Sequence, residues 1–277
     1  MCNTKKEKFR KDRALRFYSE VLGLERLHYG LWEETDERNI DGVKIAQKRY
    51  EDFLIEQALS LLGTPSEALI LDVGCGTGVM SESLYKKGFD VEGLSPDLYQ
   101  KELFEKRTAL KFHLARFQNF IPQKKYDLLI MSESSQYIPI DALFQKAREC
   151  LKPNGYLMVC DYFRLDYDTG SMGKSGHKLP SFLDASDSNG FVKISQSDIT
   201  AKTTPTLDTA KIFTEKYILP ALDIAREKIE EKYPKIFKIL NWLFRKKIEK
   251  ARRNLILIDS EEFIKNKCYM FFIFQAR

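Results

Sequence analysis

The sequence predicts an α/β fold in which helices cover both faces of a doubly wound, seven-stranded, mostly parallel sheet. First, strand-like apolar stretches alternate with helical stretches along the 277 residues, and this alternation is typical of such a sheet. Second, the apolar run 68–71 leads into Asp72 and then into Gly74, Gly76 and Gly78. Glycines allow a tight turn and a close approach of a ligand to the main chain. A strand, a glycine turn and a helix form the nucleotide-binding geometry of doubly wound proteins.

The elements follow this alternation along the chain. The first strand ends at Val73, and the other six are predicted at 89–94, 110–115, 126–131, 155–161, 191–195 and 269–275. Helices are predicted at 81–87, 96–106, 142–151, about 207–232 and 234–254. We therefore predict an N-terminal helical lid at 1–50, a core at 51–200 and 266–277, and a helical cap insert at 201–265. The polar stretch 165–176 predicts a mobile loop.

Composition excludes several classes of protein. The chain is 43% hydrophobic and carries a net charge of +5, and it has no apolar run of about 18 residues that would predict a transmembrane helix. The basic N-terminal stretch lacks the apolar region of a secretory signal. Five cysteines without a C-x-x-C pair predict neither a disulfide framework nor a metal site. We therefore expect a cytoplasmic protein, and without a recognised binding module we expect no nucleic acid partner.

The spacing of the glycines separates two kinds of ligand. Dinucleotide-binding proteins carry G-x-G-x-x-G, whereas this chain has LDVGCGTG, with Gly78 only two positions after Gly76. The run resembles motif I of the class I S-adenosylmethionine (SAM) methyltransferases. The resemblance implies a Rossmann-like fold with SAM as the cofactor and S-adenosylhomocysteine as the product. It also implies that Gly74, Cys75, Gly76 and Gly78 hold the methionine part of SAM and that Asp72 organises the turn. The alternative is an ordinary glycine-rich turn.

The second strand runs into GLSPDLYQ, which is similar to a branch that includes the tocopherol methyltransferases and several natural-product methyltransferases. This resemblance makes Ser95 and Gln100 candidates for binding the ribose, although Ser95 could instead cap the next helix. Many relatives place an aspartate for the adenine amino group where this chain has Arg116, and arginine cannot accept a hydrogen bond. The resemblance then implies that backbone groups and the face of Phe117 hold the adenine.

The segment MSESSQYIP follows the fourth strand and is similar to the corresponding segment of the tocopherol type. It gives Ser132 as a cofactor-binding candidate. It also places Tyr137, at a position where many relatives have histidine, as a catalytic candidate that would face the transferred methyl group or only shape the pocket. His177, in the loop after the fifth strand, is a candidate general base, and His28 is a second one. The segment lacks the [DN]-P-P-[YF] motif of enzymes that methylate amino groups of nucleic acid bases.

The stretch before the core also resembles this branch. Tyr29, Gly30 and Trp32 match an N-terminal lid that lies over SAM, and aromatic faces attract a cation such as the sulfonium. The alternative is that Tyr29 and Trp32 only anchor the lid by apolar packing.

The predicted cap is the most basic part of the chain. Residues 211–254 contain 13 Lys or Arg and 6 Asp or Glu, and 234–254 combines basic residues with large apolar ones. An amphipathic helix of this kind can contact an anionic membrane surface. We expect the more ordinary arrangement, in which its apolar side packs on the core, and keep peripheral membrane contact as the alternative.

Together these features predict a SAM-dependent methyltransferase that transfers a methyl group to an oxygen, nitrogen or carbon of a small, fairly apolar metabolite. We expect a monomer or a homodimer. Two alternatives stay open: a SAM-dependent lipid enzyme similar to cyclopropane synthases, and a catalytically inactive binding subunit on the same fold. The glycine spacing and Ser95 disfavour a dehydrogenase.

Overall fold

The computed structural model describes residues 13–165 and 172–277. Eight strands form one sheet in the order β3-β2-β1-β4-β5-β8-β7, and β6 pairs with β5 beside this path. All pairs are parallel except those of β8 with β5 and with β7. The strands are β1 Leu69–Val73, β2 Asp90–Ser95, β3 Lys111–Leu114, β4 Tyr126–Ser132, β5 Leu151–Arg164, β6 His177–Lys178, β7 Phe191–Asp198 and β8 Lys267–Ala276.

Eleven α-helices lie in the described part of the chain. A π-helical turn, Thr214–Ile218, joins α8 to α9. The helices are α1 Arg13–Arg16, α2 Ile40–Leu62, α3 Val79–Lys86, α4 Leu98–Arg107, α5 Ile140–Cys150, α6 Leu179–Ser188, α7 Thr200–Thr203, α8 Pro205–Phe213, α9 Leu219–Lys232, α10 Pro234–Asn254 and α11 Ser260–Asn266.

The sheet is covered on both faces, as the alternation predicts. In β1, Leu69, Leu71 and Val73 belong to one buried cluster, whereas Ile70 belongs to the other. Helices α5 and α6 contribute to the first cluster, and α2, α3, α8 and α11 contribute to the second. The predicted fold class is therefore confirmed, and the crossover between β1 and β4 places a crevice at the carboxyl ends of these strands.

Several predicted elements differ in extent. The short β6 adds an eighth strand, and β5 runs on to Arg164 because β8 pairs with it from Tyr156 to that residue. The predicted helix 207–232 is interrupted by the π-helical turn. Asp97 lies before α4 and not inside it, because its carboxylate accepts hydrogen bonds from the backbone N–H groups of Tyr99 and Gln100. Within the predicted loop, residues 166–171 lie outside the described residues.

The division into lid, core and cap stays a prediction. Helix α2 runs without a break across residue 50, and α11 runs across residue 265. Residues 1–12 of the predicted lid lie outside the part that the structure describes.

The 234–254 helix is expected to pack its apolar side on the core, but three of its large apolar side chains are exposed. Trp242 is 76% exposed, and Leu243 and Phe244 are exposed as well. None of the helices in the described ranges combines the length and apolar character needed to cross a membrane.

Candidate cofactor and acceptor site

The turn between β1 and α3 forms the floor of the site. Gly74 has φ +81° and Gly76 has φ +54°, in the left-handed region that favours glycine. A Cβ at Gly74 would lie 2.4 Å from the Cβ of Ser134, whereas a Cβ at Gly76 would meet no atom within 4 Å. Gly74 therefore lets two chain segments approach each other, and Gly76 leaves open space above the turn.

That open space is part of a cavity of about 150 Å³ that opens to solvent. Eight of the residues predicted for the site line it: His28, Asp72, Gly74, Cys75, Gly76, Gln100, Ser132 and Tyr137. Eight residues that the sequence analysis did not propose for it also do: Leu15, Arg26, Leu27, Glu51, Thr77, Val79, Met80 and Glu133.

Asp72 is the acidic residue under the glycine turn. Its side chain is buried, and the Ser81 hydroxyl donates a hydrogen bond to it over 2.6 Å. Burial raises the pKa of the Asp72 carboxyl to about 7, against the opposing effect of the Ser81 hydrogen bond. Asp72 is therefore able to change its charge near neutral pH when a cation binds beside it.

The segment before α2 crosses the cavity and is fixed on both sides. The Thr77 hydroxyl donates to the carbonyl of Glu25, and the Gln47 amide donates to the carbonyl of His28 over 2.6 Å. Further along, Thr206 Oγ1 in α8 accepts from Gly30 N at 3.0 Å and from Trp32 Nε1 at 2.8 Å. The glycine turn, α2 and α8 thus hold this segment over the site.

Glu133 lies directly after β4, where that strand reaches the cavity. Its backbone is in the left-handed region, with φ 52°, which is uncommon for a residue with a side chain. Its Oε1 accepts hydrogen bonds from the backbone N–H of Tyr29 and from the hydroxyl of Tyr269, both at 2.6 Å. Burial raises the pKa of the Glu133 carboxyl, although these two hydrogen bonds and the nearby His28 act in the opposite direction.

Arg26, His28 and Glu51 form a charged and polar wall of the cavity. Arg26 Nε donates to Glu51 Oε2 over 2.7 Å, and the His28 ring stacks on Tyr50 with 4.4 Å between ring centroids. His28 Nε2, 3.8 Å from Glu51 Oε1, and Gln100 Oε1 are buried and make no hydrogen bond within the described protein. Because buried polar atoms are nearly always hydrogen-bonded, a ligand bound in the cavity is the expected partner of both atoms.

Six of the residues predicted to bind the cofactor do not line the cavity. Trp32 is buried, with its indole N–H bonded to Thr206, and the Tyr29 ring lies 5.6 Å from that of Tyr269. Ser95 Oγ accepts from the backbone N–H of Asp97 at 3.1 Å. Phe117 is buried in the core cluster, and Arg116 is exposed just before the turn Phe117–Asn119. Gly78 packs on Phe104.

The two predicted catalytic residues meet at one turn, Ser135–Tyr137. Tyr137 lines the cavity and is exposed. His177 does not line it: its Nε2–H donates to the carbonyl of Ser135 over 2.9 Å, and burial lowers its pKa. Asp161 holds the same turn from below, because its carboxylate accepts from the Ser135 hydroxyl at 2.6 Å and from Gln136 N at 3.1 Å. His177 and Asp161 therefore position the turn that carries Tyr137.

The cavity fits SAM in its chemistry. The open face of Gly76 admits a ligand against the main chain, and the unsatisfied Gln100 Oε1 can accept a hydrogen bond from a ribose hydroxyl. The carboxyl groups of Asp72, Glu51 and Glu133 favour a ligand that carries positive charge, as SAM does on its sulfonium and ammonium groups. A doubly wound sheet with this turn and cavity defines a class I SAM-dependent methyltransferase.

The comparisons with known proteins agree. The family model described as a methyltransferase domain matches residues 44–196, more than half of the chain. The chain therefore belongs to the methyltransferase domain family, and it is an enzyme that transfers methyl groups from SAM. This confirms the methyltransferase prediction and the predicted cofactor.

Individual relatives are more distant. Malonyl-[acyl-carrier protein] O-methyltransferase 2 of Ilyobacter polytropus is 27% identical over 205 residues, covering 72% of this chain and 70% of that protein. A ubiquinone biosynthesis O-methyltransferase of Actinobacillus pleuropneumoniae is 26% identical over 38% of this chain, which spans about half of that relative (49%). A structure from Galdieria sulphuraria, assigned as a sarcosine dimethylglycine methyltransferase, matches with a TM-score of 0.72 at 18% identity, covering 95% of this chain and 98% of that one.

Proposed function

We propose that this enzyme methylates a hydroxyl oxygen of a small, fairly apolar metabolite, and that Glu133 accepts the hydroxyl proton. The observation that carries this proposal is the position of Glu133: a half-buried carboxyl group that lines the cavity together with Tyr137, at the end of β4. The two curated relatives described above are named as O-methyltransferases. The apolar character of the acceptor is supported by Leu27, Val79 and Met80, which line the same cavity.

The chain's own residues would divide the work as follows. SAM, when bound, supplies a methyl group on a positively charged sulfur, which is already a good electrophile. Glu133 Oε1 is held by Tyr29 and Tyr269, so we assign Oε2 to the acceptor hydroxyl. As the acceptor oxygen gains the methyl group, its O–H bond breaks and the proton moves to Glu133. The raised pKa of Glu133 suits it to this step, because it makes the carboxylate a stronger proton acceptor than an ordinary glutamate.

The remaining site residues are proposed to bind and orient. Gly74, Cys75 and Gly76 form the cradle for the cofactor, and Gln100 accepts from the ribose. Tyr137 shapes the acceptor side of the cavity. Tyr29 and Trp32 fix the segment that covers it, and His177 positions the turn of Tyr137 and is not the base.

The location, oligomeric state and partner of the enzyme are part of the same proposal. We propose a cytoplasmic enzyme, a monomer or homodimer, whose partner is a small-molecule acceptor. We propose contact with a membrane surface through 234–254 separately from the methyl-transfer chemistry.

An acceptor screen with methyl-labelled SAM tests the proposal. Matched compounds that differ only in the accepting group (hydroxyl, amine, carboxylate or alkene) would be offered on the same apolar frame. We expect the label to move to the hydroxyl compounds, with KM falling as the apolar frame grows. Preferential labelling of the amine or alkene series would contradict the proposal. SAM binding, measured separately by calorimetry, shows that the enzyme used is competent.

A further inference from the structure

The helices α9 and α10 and the following turn Leu255–Ile258, residues 219–258, form a helical hairpin whose described side chains are mostly exposed. All residues of α9 are described, and none of its side chains is buried. In α10, Trp242 is 76% exposed and Leu243 is 57% exposed. The guanidinium of Arg226 lies 5.5 Å from the ring centroid of Phe237, which links the two helices.

This hairpin gathers the exposed apolar side chains of the molecule. Of the 21 large apolar side chains that are exposed in the described ranges, ten lie between residues 219 and 258. Monomeric proteins rarely expose so many large apolar side chains in one segment unless that segment contacts a membrane or another molecule.

The same hairpin carries the positive charge of the chain. Residues 219–258 contain 11 Lys or Arg and 5 Asp or Glu, a charge of +6, while the rest of the chain is −1. Helix α10 alone has eight basic residues and one acidic residue, Glu249. An apolar surface bordered by basic residues matches an anionic lipid bilayer, in which apolar side chains enter the headgroup layer and Lys or Arg meet the lipid charge.

A second copy of the chain is a poor match for this surface. Two hairpins of charge +6 would face each other with like charges, and this repulsion opposes their association. Nucleic acid would match the charge, but it would leave Leu222, Ile224 and Leu243 exposed to water.

We propose that residues 219–258 dock the enzyme on the surface of an anionic bilayer, without crossing it. The base of the hairpin is fixed to the catalytic part of the chain, because Lys211 of α8 pairs with Asp259 at 2.9 Å. Helix α8 also carries Thr206, which holds the segment over the cavity. Docking would therefore place the mouth of the site near the lipid phase, where an apolar acceptor concentrates. This last consequence rests on the proposed function, whereas the docking itself does not.

Vesicle binding of the full chain tests the proposal. The protein would be sedimented with neutral phosphatidylcholine vesicles and with vesicles that also contain phosphatidylserine. The chain has two tryptophans, Trp32 being buried and Trp242 exposed, so a blue shift of the fluorescence on binding reports Trp242. We expect binding and a blue shift only with the anionic vesicles, and both should weaken as salt is raised.

Matched variants connect the binding to the hairpin. Lys238→Glu combined with Arg245→Glu should lower the partition coefficient at least about tenfold, whereas Lys44→Glu combined with Lys87→Glu, the same change on the core, should leave it near the wild-type value. Trp242→Ala should weaken binding, and the matched Tyr85→Ala should not. Tyr85 is also exposed, on α3.

Three results would overturn the proposal: no binding to anionic vesicles, equal binding by the hairpin and core variants, or a dimer that Trp242→Ala dissociates. Calorimetry with SAM on the same preparations reports the cofactor site independently. A hairpin variant that binds SAM but not vesicles supports docking, whether or not the hydroxyl acceptor is correct.

Discussion

The Glu133 carboxylate accepts a hydrogen bond from the backbone N–H of Tyr29 at 2.6 Å. One residue ends a strand of the sheet, and the other belongs to the segment that covers the cavity. Because the bond involves the main chain of Tyr29, it fixes the path of that segment and not only its side chain. The group proposed to take the acceptor proton is therefore also the group that holds the cover in place.

Replacing Glu133 by glutamine should separate these two roles. Glu133→Gln keeps an oxygen that can accept from Tyr29 but removes the base, so we expect kcat to fall about 100-fold or more. SAM affinity should change little, since the cover stays in place. Steady-state kinetics with an acceptor from the screen and calorimetry with SAM give the two numbers. Wild-type kcat in Glu133→Gln would show that the proton leaves by another route.

Thr206 should control the cover without touching the chemistry. Thr206→Val leaves the N–H groups of Gly30 and Trp32 without their acceptor, and such a loss costs about 1–3 kcal/mol per buried group. We expect weaker SAM binding and faster proteolysis near residue 30. Thr209→Val is the control, because Thr209 is buried in the same helix but its hydroxyl donates to Pro205. Equal SAM affinity in both variants would mean that the cover does not contribute to binding.

Gly76 offers a direct test of the cavity floor. Gly76→Val places a branched side chain in the open space above the turn and should abolish SAM binding. Gly63→Val is matched to it, because Gly63 at the end of α2 also has positive φ, +66°, and also has no atom within 4 Å of an added Cβ.

Both variants place a branched side chain at a residue with positive φ, which strains the backbone. Thermal unfolding should therefore show a loss of stability in both variants, while calorimetry should show loss of SAM binding in Gly76→Val alone. Comparable SAM affinity in the two variants would place the cofactor elsewhere.

The fold was more accessible to sequence reasoning than the site. The strands of the parallel sheet are buried on both faces and therefore appear as apolar runs, and this is why β1, β2 and β4 were predicted within a residue or two of their observed bounds. The role of Ser95 was harder to predict, because both Ser95 and Asp97 are able to cap the N-terminus of α4. Asp97 caps the helix, and Ser95 binds the backbone N–H of Asp97 instead.

The residues that sequence reasoning missed depend on distant contacts. Arg26 and Glu51 meet only because the cover segment crosses α2, and no local pattern specifies that crossing. Glu133 did carry a signal, since an acidic residue directly after a buried parallel strand lies at the ligand edge of a doubly wound sheet. Its left-handed backbone, which turns it back toward Tyr29, has no such signal.

Glu92 should make the fold sensitive to acid. Its buried carboxylate accepts hydrogen bonds from the Tyr126 hydroxyl at 2.6 Å and from His113 Nε2 at 2.6 Å, and Lys124 lies at 3.1 Å. Burial alone would raise the pKa of Glu92, but these partners lower it to about 2, from an ordinary 4.5. Because the folded-state pKa is the lower one, Glu92 stabilises the fold above pH 4.5, and this contribution is lost as the pH falls toward 2.

Glu92→Gln should accordingly lower the free energy of unfolding by about 2 kcal/mol at pH 7. The difference from the wild type should close between pH 4.5 and pH 2. Denaturant titrations at several pH values measure it, and Glu56→Gln, which changes an exposed side chain of α2, should show no such difference. A Glu92→Gln deficit that is constant with pH would mean that packing, and not charge, is responsible.

Asp72 should link SAM binding to protons. Burial raises the pKa of its carboxyl to about 7, so the carboxyl is mostly protonated at pH 6 and mostly ionised at pH 8. A cationic ligand in the cavity favours the ionised form, so binding at pH 6 should release close to one proton. SAM affinity should be constant above pH 8 and fall by up to about tenfold per pH unit below 7.

Calorimetry at pH 6 in two buffers of different ionisation enthalpy counts the released protons. Asp72→Asn should abolish the release and weaken binding at pH 8. Asp161→Asn is the matched control, because burial raises the pKa of Asp161 to about 7 as well, yet Asp161 lies under the turn of Tyr137 and does not line the cavity. If Asp161→Asn alone removed the proton release, the linkage would belong to the acceptor turn, and Asp72 would have only a structural role at the cofactor site.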